Sequence, residues 1–183
     1  MALPSKLYRF KIELSDLDKG SYESLDFRVA QHPSESLTYL LTRVFAYALS
    51  FEDGLEFSAE GLHNPDDPTI AVKNPMGGIK LWVEIGNPSA RRLHKASKGA
   101  DHVKVYTYKD PQVLLNEINS EDVYRKDELE IYSIPSDFLD SLEKTMNKEN
   151  RWTVINNDGV LMVNGENFDL QCEIKRHRTS APS

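Results

Sequence analysis

The sequence predicts a mixed α/β protein, a central mixed β-sheet flanked by helices, and three segments carry that expectation. Leu37, Leu40, Leu41, Val44, Phe45, Ala48 and Leu49 recur at helical spacing and make a broad apolar stripe. Ile79-Lys80-Leu81-Trp82-Val83-Glu84-Ile85 is largely apolar on both faces, as a strand covered on both sides would be. It is followed by a helical and then another strand-like segment (79–85, 89–98, 102–108), the order of a right-handed βαβ crossover with two parallel strands.

The remaining elements follow in chain order. Leu7 to Leu14 alternates as a half-buried strand, Asp16 to Gly20 supplies turn residues, and Tyr22 to Ala30 returns as an N-terminal hairpin. The helix is expected over 34–51, with Ser34 as its N-cap and Glu35 at the positive end of its dipole; Asp53-Gly54 stops it. Leu55 to Ser58 and Thr69 to Lys73 are short strands on either side of a polar loop, Gly61 to Pro68, that carries Asp66 and Asp67. Pro111 to Ile118 reads as a short helix, Leu129 to Ser133 as a strand and Ser136 to Met146 as a further helix. Trp152 to Ile155 and Val160 to Val163 form a C-terminal hairpin about Asn156-Asn157-Asp158-Gly159, and Phe168 to Ile174 adds a last strand. One domain is expected over 1–174, with 175–183 as a flexible basic tail.

Bulk properties exclude several classes. With 183 residues, 39% hydrophobic and 28% charged, the chain is an ordinary globular one, neither disordered nor membranous. No apolar run approaches the ~18 residues of a spanning helix, and the N-terminal segment has no apolar signal core, so a cytoplasmic place and no membrane are expected. Cys172 is the only cysteine, which excludes an intrachain disulfide and a thiolate zinc cluster; in an apparent strand it reads as a structural thiol. A formal net charge of −7 argues against a broad non-specific grip on DNA, while leaving room for a local basic groove. A monomer is expected. The sequence holds no phosphate-binding loop, dinucleotide fingerprint, His-Glu-x-x-His or nucleophile elbow, and His63, His94, His102 and His177 show no ligand spacing.

Several strings occur together in order: Met1-Ala2-Leu3, His32-Pro33-Ser34-Glu35, Arg43, Gly61-Leu62 before an acidic loop ending in Pro68, Leu81 to Gly86 followed by Pro88, Arg91-Arg92, Lys95-Ala96, and Tyr106-Thr107-Tyr108. In these the chain resembles the YaeQ family of bacterial proteins. The resemblance implies a variant of the restriction-endonuclease-like, PD-(D/E)XK-type fold, whose members cut phosphodiesters with acidic residues, Mg²⁺ and a lysine.

Such a site needs oxygen ligands for a hard cation, Mg²⁺ or Mn²⁺, and a cation to steady charge on phosphorus. Glu84 fits the acid of the central strand, on one face with Lys80 and Trp82, against a salt bridge to Lys80 or a helix arginine. Two residues on stands Gly86 where the nuclease pattern has lysine; Lys95 on the following helix is the expected substitute, in a stripe with Arg91 and Lys98. Thr69 stands where the family pattern has an acid, so Asp66 or Asp67 is the expected replacement as metal ligand, or both are turn residues. Glu35 is the third acid or a helix-terminal charge, His32 supports that cluster or is a structural histidine, Arg43 is expected to touch phosphate or pair with Glu35, and Arg91 is a further supporting or phosphate-binding residue. Two functional readings follow: a Mg²⁺-dependent phosphodiesterase acting on nucleic acid, or a non-catalytic binding or adaptor protein, with a nucleic-acid or protein partner, on a degenerate nuclease-like site.

Overall fold

A computed structural model describes residues 5–59 and 64–179. Met1-Ala2-Leu3, Gly61-Leu62, His63 and the last four residues of the expected tail lie outside them. In chain order the described strands and helices are β1 (Lys6–Asp16), β2 (Ser21–Gln31), α1 (Leu37–Leu49), β3 (Glu56–Phe57), β4 (Ile70–Lys73), β5 (Ile79–Ile85), α2 (Ala90–Gly99) and β6 (Ala100–Thr107). After them come α3 (Pro111–Ser120), β7 (Glu130–Ser133), α4 (Ser136–Glu143), β8 (Glu149–Asn157), β9 (Val160–Asn164), β10 (Asp169–Glu173) and β11 (Lys175–His177). The mixed α/β class holds. In place of one central sheet there are two mixed sheets, in two compact units that interleave along the chain.

The first unit takes the chain up to Leu49 and again from Ile134 to Lys175. Its sheet has the order β10-β9-β8-β1-β2, with β1 parallel to β8 and the other pairs antiparallel. The two expected hairpins thus join in one sheet. Apolar patterning told which face each strand buries, but not which strand it would meet. Helices α1 and α4 pack on each other, α1 also on β2 and α4 on β10. Phe45 of α1 stacks on Trp152 of β8 with ring centroids 6.1 Å apart, and Phe10 of β1 meets the edge of Trp152 at 5.2 Å. The β8–β9 turn places Asp158 and Gly159 at φ 50° and 79°, the two left-handed residues that a tight hairpin requires.

The second unit comprises Ser50–Ser133 and the residues from Arg176. Its sheet runs β11-β7-β6-β5-β4-β3, with β5, β6 and β7 parallel and β3 and β4 antiparallel. The expected β5–α2–β6 crossover is present with its parallel register. Trp82, Leu93, Ala96, Val105, Leu114, Ile118 and Ile131 form one buried cluster, so α2 and α3 cover a single face of this sheet.

Two boundaries differ from the sequence expectation. Helix α1 starts at Leu37 rather than 34, because Ser36 is the residue that caps it: its hydroxyl accepts from Tyr39 N–H at 3.1 Å. The expected loose tail begins as β11 beside β7, where His177 Nε2 meets Ser133 Oγ at 2.7 Å and buried Thr179 donates to Lys126 O at 3.0 Å. A three-residue edge strand of charged residues carries no apolar alternation, which is why the sequence reads it as solvated.

Cys172 sits on β10, half-buried, and burial pushes its thiol up to about 12. At pH 8 it is therefore protonated in the folded protein, whereas an unfolded cysteine near 8.5 is partly thiolate. A thiol reagent such as Ellman's is expected to label the native protein at least about 100-fold more slowly than the urea-unfolded one. Equal rates in both states would contradict a structural role.

Candidate functional site

In the second unit, β5 carries Glu84 one residue before its end. Glu84 is 3% exposed and shares a sheet face with Trp82, under α2. A carboxylate so far out of water must be met by donors. Two meet the same oxygen: Trp82 Nε1–H at 2.6 Å and Arg92 Nη2 at 2.9 Å. The helix-arginine alternative is the one the structure holds; Lys80 pairs with Glu52 instead.

Gly86 closes β5, at the position where the resemblance leads one to expect a lysine. The chain leaves β5 at φ 82° there, while Gly86 N–H bonds to Tyr106 O at 2.8 Å. A lysine at that position would sit in the left-handed region that side chains other than glycine avoid. Ser89 then caps α2 by accepting from Arg92 N–H at 3.1 Å, which fixes where the helix residues point.

Arg92 is the residue that sequence reasoning missed as a site element. Besides Glu84 it donates to Asp67 O at 2.7 Å and to Pro65 O, so one guanidinium ties the 64–68 loop to β5. Its signal was present: Arg92 lies four residues before buried Ala96 and next to buried Leu93, on the flank of the helix that faces the sheet.

Lys95 binds Asp66. That hydrogen bond, with the Lys95 charge and those of Arg92 and Arg91, holds the Asp66 carboxyl below the usual aspartate range. Both partners are largely exposed. Asp67 accepts from Asn64 Nδ2 at 3.0 Å, and Asp66 N–H from the loop donates to Asn64 Oδ1 at 2.9 Å. Arg91 is exposed and lines a groove of about 410 Å³ with Ser89, His94, Glu117, Glu121 and Asp122. Thr69, where an acid was expected, is buried at the start of β4.

Glu35, His32 and Arg43 belong to the first unit. The Glu35 side chain is fully buried and Arg43 is 7% exposed. Arg43 Nε donates to Oε1 at 2.9 Å, and Nη2 reaches Oε1 at 2.7 Å, Oε2 at 2.9 Å and Ala30 O at 3.0 Å. His32 N–H donates to Glu35 Oε2 at 3.1 Å, whereas the His32 ring lies 2.6 Å from Ser34 Oγ. Glu35 is therefore not a solvent-facing helix-terminal charge. Pro33 and Ser34 turn the chain, and that turn drops the Glu35 carboxylate back onto Arg43 two helical turns along.

Among the described residues no three of His, Cys, Asp and Glu gather closely enough to hold a metal ion. Glu84 and Asp66 each already hold a cationic side chain. What the arrangement does is pin a loop and a helix to the end of a parallel strand.

Fold and site together define a mixed α/β protein with two mixed sheets, the second carrying an arginine-bound buried glutamate at the end of a parallel strand. The sequence profile of the family described as "YaeQ protein" matches residues 1–174, and the chain belongs to that family. The uncharacterized protein YaeQ of Escherichia coli (strain K12) is 33% identical over 108 residues, 59% of this chain and 59% of that protein; its Salmonella typhi counterpart is 32% identical over the same length. The chain is also similar to the crystal structures of YaeQ proteins from Pseudomonas syringae (TM-score 0.85, 28% identity, 96% of this chain and 97% of that one) and Xanthomonas axonopodis pv. citri (TM-score 0.87, 25% identity, 96% and 99%).

Removing one member of a buried pair leaves the other charged and unpaired. Glu35→Ala is expected to cost about 3–5 kcal/mol in urea unfolding, and adding Arg43→Met should recover part of the loss. A Glu35→Ala protein as stable as the wild type would show that the pair is not structural.

Proposed function

We propose that the protein is a non-catalytic binding protein on a restriction-endonuclease-like fold, whose former ligand acids now serve as ion-pair partners. The observation that carries this reading is Glu84, one oxygen of which holds both Arg92 and Trp82. A metal at that oxygen would have to displace the guanidinium, and one at the other oxygen would have the guanidinium charge beside it. Gly86 and Thr69, in place of the lysine and acid of the nuclease pattern, support the same reading. The partner we propose is a nucleic-acid strand, whose phosphates meet the exposed cations of α2: Arg91, Lys95 and Lys98.

A second reading, a Mg²⁺-dependent phosphodiesterase, draws on one observation. Lys95 and Asp66 form an exposed pair, and exposed pairs open at little cost. A phosphate arriving there would find an ammonium and a carboxylate side by side.

Calorimetric titration of Mg²⁺ and of Mn²⁺ into the wild type and Glu84→Gln separates the two. No binding heat at millimolar metal in either protein is expected. Metal binding by the wild type that the variant loses would overturn the non-catalytic reading and make nuclease assays on DNA and RNA the next step. On the nucleic-acid side, anisotropy of labelled single strands at low salt should report binding that weakens with salt and with Arg91→Glu/Lys98→Glu. Absence of any strand binding would point to a protein partner.

A further inference from the structure

The first unit's sheet ends in an 11-residue strand, β2, which among the described residues pairs with β1 alone. The register shows which way its backbone faces. Arg9 N–H donates to Lys148 O on the β8 side at 2.8 Å, and Arg9 stands opposite Arg28. In an antiparallel ladder the residue opposite then turns its own N–H and C=O away from β1. The same alternation sends the backbone groups of Ser24, Asp26, Arg28 and Ala30 to the open edge, and the Arg43 bond to Ala30 O agrees with it. A long edge with outward-facing amides is a template for another strand.

The side chains specify which strand. Leu25 and Val29 are buried on the helix side and Phe27 is half-buried at the rim, where it stacks on Phe10 at 5.8 Å and leans on Tyr47 at 4.6 Å. The opposite, exposed face carries ion pairs that run from strand to strand, although Arg28 itself stands opposite Arg9. Glu149 on β8 meets Lys11 on β1 at 3.3 Å, and Arg9 on β1 grips Asp26 on β2 through two bonds of 2.8 and 2.9 Å. The Arg9 bond, then the charges of Arg9, Lys11 and Arg28, hold the Asp26 carboxyl below its usual range. Asp26 and Arg28 are the exposed charges of the edge strand beside these pairs, so a matching strand outward offers a cation beside Asp26 and an anion beside Arg28.

A second copy of β2 does so. We propose that the protein forms a two-fold symmetric dimer by antiparallel pairing of β2 with β2 of a second copy, joining two five-stranded sheets into one. With Phe27 on the axis, Phe27 faces Phe27, Leu25 faces Val29, Ser24 faces Ala30, and Asp26 faces Arg28 twice by symmetry. Cross-strand charge pairs of this kind stabilise a sheet, and like charges destabilise it. Sliding by one residue in either direction on each strand places Asp26 opposite Asp26 or Arg28 opposite Arg28. Registers in between turn the helix-side residues to the wrong face. The register is thus selected by both faces. The contact takes the place of the monomer expected from the sequence and is independent of the function proposed above.

Sedimentation equilibrium is the test. At about 100 μM, where an interface of this limited size associates, the wild type is expected at twice the 20.9 kDa chain mass. R28E and D26K each place like charges opposite one another and are expected to be monomers with unchanged circular dichroism. An equimolar mixture of the two restores both opposite-charge pairs, so it should sediment as a heterodimer, an outcome that misfolded variants cannot give. A monomeric wild type overturns the proposal. So does a dimer that persists in both single variants, or a mixture of folded variants that fails to associate.

Discussion

The arrangement of the second unit depends on one buried carboxylate. Glu84 is carried out of water by a strand whose neighbours Val83 and Ile85 are buried on its other face, so its side chain has to end among donors. Arg92 and Trp82 supply them. Because Arg92 also holds the carbonyls of Pro65 and Asp67, the need of one strand residue fixes where a loop lies. The same constraint acts in the first unit, where buried Glu35 holds Arg43 and, through it, the C=O of Ala30 at the end of β2. A buried pair of this kind is poor evidence of extra stability, since desolvation offsets most of the attraction, but it is strict about geometry.

That strictness bears on function. A nuclease-like metal site needs carboxylate oxygens with room for a cation and water. Of the acids that the sequence suggests for that purpose, Glu35, Glu84 and Asp66 are instead matched with arginine or lysine, and Asp67 holds Asn64. The departures already visible in the chain agree: Gly86 stands at a positive φ that side chains other than glycine avoid, and Thr69 is buried just before β4. Asp66, paired with Lys95, and Asp67 remain open to solvent, and the phosphate chemistry of the alternative reading would have to begin there.

Much of this was legible in the chain because it rests on local physics. β5 was read at its observed bounds, since a run apolar on both faces and closed by glycine allows little else. Ser89 announced α2, and Asn156 to Gly159 announced the β8–β9 turn. Glu84 was legible as a buried acid that needed a partner. What escaped depends on contacts far apart in sequence. The β1–β8 pairing joins segments about 140 residues apart, and no periodicity encodes it. Arg92 looked like one of a string of basic residues until the helix phase set by Ser89 turned it toward the sheet. Ser34 and Ser36 are equivalent as cap residues on paper; the turn at Pro33 decides between them.

Whether Glu84 is a structural anchor or a working metal ligand is decided by a double-mutant cycle on folding stability with Glu84→Gln, Arg92→Met and the pair. For an anchor, each single change destabilises by about 2–3 kcal/mol and the double costs clearly less than their sum, with a coupling of about 1 kcal/mol or more. A Glu84→Gln protein that unfolds at the same or higher urea concentration, with no coupling to Arg92, would contradict that role, because a carboxylate kept for chemistry at the expense of stability behaves that way.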